Sequence, residues 1–231
     1  MKASLLRRSV AEFVGTLFLL AAVVGSGIMG DRLAAGNVAI ALLANSLATG
    51  AVLIALIYAF GPVSGAHMNP AVTLSAALEG EFAWRDTPAY LLAQCAGAVA
   101  GTAVAHAMFA LPVFSISTRA RSGPHLLFAE FVATFGLVAV VWGCVRSRPS
   151  AVPVVVGAYI TAAYWFTAST SFANPAVTLA RALTDTFSGI QPADTAGFIA
   201  AQLAGAAAGT LLFRWLAPSI SRLNSSATEM K

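Results

Sequence analysis

The hexapeptide Asn-Pro-Ala-Val-Thr-Leu occurs twice without a change, at 69–74 and 174–179, and each copy opens an apolar run of only about ten residues, 69–78 and 174–183. Asn is a favoured helix N-cap, and Pro suits the first helical turn because its missing N–H has no partner to lose there, so each triplet reads as a helix start. Ten residues rising 1.5 Å each span about 15 Å, half of a roughly 30 Å hydrocarbon core. Each run is half a membrane span.

Full spans surround the two halves. Apolar stretches of about 20 residues lie at 10–29, 38–60, 88–111, 126–145, 151–168 and 195–216. With 58% hydrophobic and 10% charged residues and a mean hydropathy of +0.81, the chain is excluded from the soluble globular class, where about 25% of residues are charged. The first stretch follows Lys2, Arg7 and Arg8 like a secretory signal, but it is long for one and further spans follow, so it reads as uncleaved. The bases form no aromatic-interleaved stripe, which argues against nucleic acid as a partner. Cys95 and Cys144 lie in separate apolar runs and suggest neither a disulfide framework nor a thiolate metal cluster. The longest pieces outside the spans, 61–87 and 169–194, leave no room for a soluble domain, so 1–231 reads as a single membrane domain.

Self-comparison extends the repeat beyond the hexapeptide. Ala11-Glu12-Phe13-Val14 recurs as Ala129-Glu130-Phe131-Val132, and Gln94-x-Ala96-Gly97-Ala98-x-Ala100-Gly101-Thr102 recurs at 202–210, in the same order. The copies cover approximately 8–111 and 125–217. Each holds three spans, an odd number, so the second enters the bilayer from the opposite side and the repeat is inverted. Nine bases (Lys2, Arg7, Arg8, Arg85, Arg146, Arg148, Arg214, Arg222, Lys231) then fall on the side of the N-terminus and four (Arg32, Arg119, Arg121, Arg181) on the other, which predicts cytoplasmic termini.

Two half-helices descending from opposite faces bring their positive N-terminal ends together near the midplane. Irregular backbone at that depth is tolerated only against protein or a water-filled cavity. The segments before the triplets are therefore expected to line a conduit with the carbonyls of Gly65, Ala66, His67 and Met68 on one side and Thr170, Phe172 and Ala173 on the other. The Asn69 and Asn174 amides are expected to donate to a neutral molecule's oxygen, while the two dipoles exclude protons and metal ions. Glu12 and Glu130 sit at matching depths, where a bare charge is costly, so each is expected to anchor one of the irregular loops by accepting its hydrogen bonds. A proton relay is the other reading, but it needs more titratable groups at depth than His67 and His106. His106 reads as structural. Gly97 with Gly101, and Gly205 with Gly209, read as close helix contacts. The aromatic group Tyr159, Tyr164, Trp165 and Phe166 either lines a selectivity region or meets lipid. No metal-ligand spacing, nucleophile–base pair or phosphate-cradling loop is present, so no catalytic residue, metal or cofactor is expected.

Taken together, 64–73 (Ser-Gly-Ala-His-Met-Asn-Pro-Ala-Val-Thr), Phe172-Ala173-Asn174-Pro175-Ala176, the six spans and the paired glutamates make the chain similar to the aquaporin and aquaglyceroporin (major intrinsic protein) family, from Arg8 to Ala217. The resemblance implies an all-α membrane bundle, right-handed, of six helices and two re-entrant half-helices. It implies pore motifs at Asn69, Pro70, Ala71 and Asn174, Pro175, Ala176, a pore in every protomer and a homotetramer. The location it suggests, with the Ala-rich composition, is a plasma membrane, bacterial and inner.

One departure carries the functional reading. Most of the family has an arginine directly after the second triplet; here Val177 stands there, and no deep basic residue is expected in its place. Arg181, one helical turn on, is expected to reach the outer surface. By spacing from Asn69, Thr49 takes the second-span filter position; Ser171, on the second loop, is counted with Val177 in the selectivity filter. Ala162, Ala163 and Tyr164 compete for the fifth-span position, with Tyr164 preferred. An isopropyl group in place of a guanidinium, opposite a threonine, predicts a wider and less polar filter. The expected activity is passive diffusion of water and small uncharged solutes such as glycerol, urea and neutral arsenite. A water-selective channel would differ only at the constriction. An ion-coupled secondary transporter holding an anion would need the deep base that the spacing does not supply.

Overall fold

The computed structural model describes residues 3–217. Lys2, Arg222 and Lys231, three of the nine bases assigned to the cytoplasmic side, lie outside the described residues. Six helices are long and apolar enough to cross a membrane. They are α1 (Leu5–Leu33), α2 (Val38–Ser64), α4 (Thr87–Met108), α5 (Pro124–Ser147), α6 (Val152–Phe166) and α8 (Pro192–Leu216), with α4 and α6 lengthened by the 3-10 turns Trp84–Asp86 and Pro149–Ala151 that lead into them; the two half-helices are α3 (Pro70–Glu79) and α7 (Pro175–Arg181). Among the described residues every regular element is helical.

Local chemistry sets the ends. Ser4 Oγ accepts from the Arg7 N–H at 3.4 Å and carries α1 a turn beyond its apolar run. Asn37 Oδ1 accepts from the Ala39 and Ile40 N–H groups at 3.1 and 3.3 Å and starts α2. α2 stops at Gly65, whose φ of 91° suits a residue without Cβ. The second half-helix is shorter than the apolar run 174–183 suggests. Leu183 and Ala182 leave the helix and offer their carbonyls to the Ser115 and Ser117 N–H groups, both at 3.0 Å. The chain between α4 and α5 thereby becomes a strap across the end of α7, tied again by Gln191 N–H to Arg119 O at 2.8 Å.

α1 packs on α4 and α2, α5 packs on α8 and α6, and α2 packs on α6. The two glycine pairs make the α1–α4 and α5–α8 crossings possible. A Cβ on Gly97 or Gly101 would strike the carbonyl of Phe13 or Leu17, and one on Gly205 or Gly209 would strike that of Phe131 or Phe135. Without the glycines these helices stand apart, and lipid offers no hydrophobic force to close the gap. Gly50 and Gly157 do the same where α2 meets α6. The periphery carries large apolar side chains, among them Leu43, Tyr58, Leu92, Trp165 and Trp215, as befits a protein whose solvent is lipid.

Candidate functional site

α3 and α7 meet cap to cap at the centre. Asn69 Oδ1 accepts from its own helix at Ala71 N–H (2.9 Å) while its Nδ2 donates to Ala173 O (2.8 Å). Asn174 Oδ1 accepts from Ala176 and Val177 N–H (3.0 and 3.3 Å) while its Nδ2 donates to Met68 O (2.8 Å). Each asparagine thus caps its own half-helix and clasps the other half's loop. Each amide retains one further N–H, and both asparagines border the cavity. The clasp also engages the Met68 and Ala173 carbonyls, two of those expected to line the conduit.

Both loops run through strained backbone. Ala66 and Met68 have φ of 48° and 47°, and Thr170, Ser171 and Ala173 have φ of 64°, 49° and 46°, a region costing roughly 1–3 kcal/mol for each residue bearing a side chain. The two glutamates hold them there. Glu12 accepts from Ser64 Oγ (2.7 Å), His67 N–H (2.9 Å), Met68 N–H (2.6 Å) and Gln94 Nε2 (2.8 Å). Glu130 accepts from Phe172 N–H (2.8 Å), Ala173 N–H (2.9 Å) and Gln202 Nε2 (2.6 Å). The same glutamines brace the half-helices, Gln94 on Thr73 Oγ1 at 2.9 Å and Gln202 on Thr178 Oγ1 at 2.8 Å. Both carboxylates are therefore fully engaged, an arrangement that suits a support rather than a proton relay.

A cavity of about 270 Å³ follows this axis. Gly65, Ala66, His67, Met68, Ser171, Phe172 and Ala173 line it; Thr170 does not, its N–H being turned back to Thr167 O at 3.1 Å. Val152, Val156, Ile160 and Tyr164, spaced four apart, form the α6 wall. Of the three fifth-span candidates, Tyr164 is in the lining, Ala163 is buried outside it, and Ala162 is exposed on the periphery. Tyr164 OH shares a hydrogen bond of 3.2 Å with Thr49 Oγ1. The aromatic group splits accordingly: Trp165 and Phe166 face outward, and Tyr159 OH donates to Ala133 O at 2.9 Å. His67 Nδ1 lies 3.1 Å from Thr73 Oγ1, and His106 is locked between Pro112 O and Thr184 Oγ1 away from the cavity.

The two ends of the cavity can be told apart by α5 and α8. Glu79, at the end of α3, meets Arg146 and Arg214 from the last turns of those helices; Arg181, at the end of α7, meets Ser188 just ahead of α8. At the α3 mouth both arginines share the Glu79 carboxylate, Arg214 at 3.0 Å. Arg214 also donates to Leu78 O at 2.7 Å.

At the α7 mouth the outcome corrects two expectations. Arg181 is 2% exposed and borders the cavity, so it does not reach the outer surface, and a deep base is present after all. Its Nε donates to Ser188 O, its guanidinium carbon lies 3.4 Å from the centre of the Phe172 ring, and its Nη1 has no partner. Arg121 approaches the same ring at 5.0 Å and spends its donors on Gly189 O (2.8 Å) and Ser169 O (3.3 Å). Burial pushes the Arg121 guanidinium below its ordinary pKa, with the Arg119 charge adding to the effect. A buried guanidinium without a carboxylate costs several kcal/mol, of which a ring face returns about 2. The sequence held one signal for this: the residue two before the second Asn is Phe172, a π-face, where the first copy has His67.

The Major intrinsic protein family model matches residues 1–168 and 147–231. The chain is 58% identical over 212 residues to the aquaglyceroporin AqpS of Rhizobium meliloti (strain 1021), covering 92% of this chain and 91% of the relative. It is 39% identical over 143 residues to aquaporin NIP1-4 of Oryza sativa subsp. japonica, covering 61% of this chain and 51% of the relative. The aquaglyceroporin from Plasmodium falciparum shares the fold with a TM-score of 0.72 at 21% identity, covering 94% of this chain and 97% of that one.

Proposed function

We propose, starting from the fact that this chain belongs to the major intrinsic protein family, that its pore passes glycerol, urea, neutral arsenite and water down their gradients without coupling to an ion. The protein is a channel and not an enzyme. The observation that carries the solute reading is the pairing of Val177 with Thr49 and Tyr164 in the cavity wall. An apolar branch and two hydroxyls share that wall, which suits a molecule with both hydroxyl groups and a carbon skeleton. The 58% identity to a protein named an aquaglyceroporin supports the same class.

The chemistry follows from the centre outward. Each half-helix start carries about half a positive charge, and two of them aimed at one point repel cations. The spare N–H of each asparagine orients a passing oxygen as an acceptor, which interrupts any chain of hydrogen-bonded waters that could relay a proton. The carbonyls of Gly65, Ala66, His67 and Phe172 supply acceptors for the solute's own hydroxyls on either side. We further propose that the repeats 8–111 and 125–217 are inverted and that the channel is a homotetramer in the bacterial inner membrane. The nine-to-four distribution of bases supports cytoplasmic termini, with the α3 mouth inside and the α7 mouth outside.

A water-selective channel is the second reading, favoured by the buried Arg181 at the α7 mouth. Reconstituted vesicles separate the two. In a glycerol gradient, vesicles bearing the protein are expected to equilibrate at least tenfold faster than empty ones; fast osmotic water flow with glycerol entry no faster than in empty vesicles would select the water channel.

A further inference from the structure

The guanidiniums of Arg121 and Arg181 at the α7 mouth form no ion pair. Among the described residues every ion pair involves Arg8, Arg85, Arg146 or Arg214; the Asp194 carboxylate meets Arg121 only at its backbone N–H, at 2.6 Å. Arg181 is buried, borders the cavity and leaves Nη1 without a partner. Ser171, which precedes the ring that Arg181 covers, is also 2% exposed, also borders the cavity, and its Oγ also lacks a partner. Two residues of the cavity wall thus each carry a buried unsatisfied group, a guanidinium edge and a hydroxyl able to donate, with a second guanidinium 5.0 Å from the same ring. Beyond them lie the positive starts of α3 and α7.

We infer that this mouth is a binding site for a small monovalent oxyanion, held by Arg181 Nη1 and Ser171 Oγ, and that its occupancy obstructs the neutral solutes proposed above. The inference deepens that reading of the pore and rests on it for the obstruction, though not for the binding. A guanidinium edge matches a planar oxyanion, whose oxygens accept from the Nη1 N–H and the serine hydroxyl together. A neutral polyol needs acceptors as well as donors and leaves the Arg181 guanidinium without an ion-pair partner. Small size follows from the walls: Phe172, Val177 and Tyr164 enclose the same cavity.

Sodium nitrate is the probe, because it has no neutral form at neutral pH that crosses lipid unaided, and sodium gluconate at equal ionic strength is the control. Nitrate on the α7 side is expected to slow glycerol equilibration of reconstituted vesicles, gluconate to leave it unchanged. Arg181→Gln is expected to raise the half-inhibiting nitrate concentration at least tenfold, Ser171→Ala about threefold, and Arg181→Lys less than Arg181→Gln. Binding is read separately from flux by the rise in melting temperature of the detergent-solubilised protein with nitrate, present in the native chain and lost in Arg181→Gln. That second readout stands even if the native chain passes no glycerol, so the failure of the solute reading and the failure of this site are distinguishable. Equal inhibition by gluconate, unchanged nitrate sensitivity in Arg181→Gln, or a native protein that nitrate does not stabilise would overturn the inference.

Discussion

At the α3 mouth, Arg146 and Arg214 close on one buried carboxylate, Glu79; at the α7 mouth, the guanidiniums of Arg121 and Arg181 share the ring of Phe172 and form no ion pair among the described residues. The two mouths descend from one repeat. Glu79 is ten residues after Asn69, and ten after Asn174 stands Thr184, a hydroxyl 2.7 Å from His106 Nε2. Arg181 is seven after Asn174, and seven after Asn69 stands Ala76. What the copies keep is the frame: capping asparagine, bracing glutamine and threonine, and a glutamate that holds the strained loop. What they exchange is charge at the mouths. The frame must match for the half-helices to meet cap to cap, whereas a mouth residue answers only to its own surroundings, and so each end acquired its own electrostatics.

The frame is where substitution should cost most. Glu12→Leu leaves the His67 and Met68 N–H groups unpaired in the interior, at about 2 kcal/mol each, so roughly 4 kcal/mol of stability is expected to disappear. Glu130→Leu orphans Phe172 and Ala173 and is expected to cost nearly as much, falling short because Glu130 accepts three bonds and Glu12 four. Thermal unfolding of both variants in detergent checks the equivalence; a large effect in one and none in the other would break the frame argument.

The mouths come next. Glu79→Leu strips both arginines of their partner and is expected to destabilise by about 3 kcal/mol, below the range for a fully buried pair because the Arg214 side chain is 33% exposed. A stable Glu79→Leu protein would mean that the α3 mouth, like the α7 mouth, tolerates unpaired bases. Val177→Arg adds a third base to the mouth whose guanidiniums form no ion pair. Glycerol flux is expected to fall about tenfold with water flux less affected, read on vesicles beside the native protein. The smallest change removes one atom: Tyr164→Phe loses the bond to Thr49, about 1 kcal/mol, and is expected to shift the ratio of glycerol to water flux severalfold or less.

Much of this was legible beforehand, for reasons that differ by residue. The Asn-Pro start fixes a helix through its own backbone, so α3 and α7 are local facts. Glu12 and Glu130 are readable because an ionised group in hydrocarbon must have partners nearby and the repeat supplied a loop for each. Thr170 was misplaced on the lane of carbonyls because it turns back to bond Thr167 O, and nothing in a threonine announces that. The capture of Met68 O and Ala173 O by the opposite asparagines was equally hidden, since each bond joins residues more than 100 positions apart.

By itself the amino-acid order determined the spans, the half-spans, the doubling and the capping, because hydrophobic length and N-cap chemistry act within a few residues. Where Arg181 points belongs to the tertiary structure alone. A long flexible side chain one turn beyond Val177 reaches water or folds inward according to what covers it. Here the strap of 112–123, the Ser188 carbonyl and the Phe172 ring close over it, bringing together segments remote in the chain.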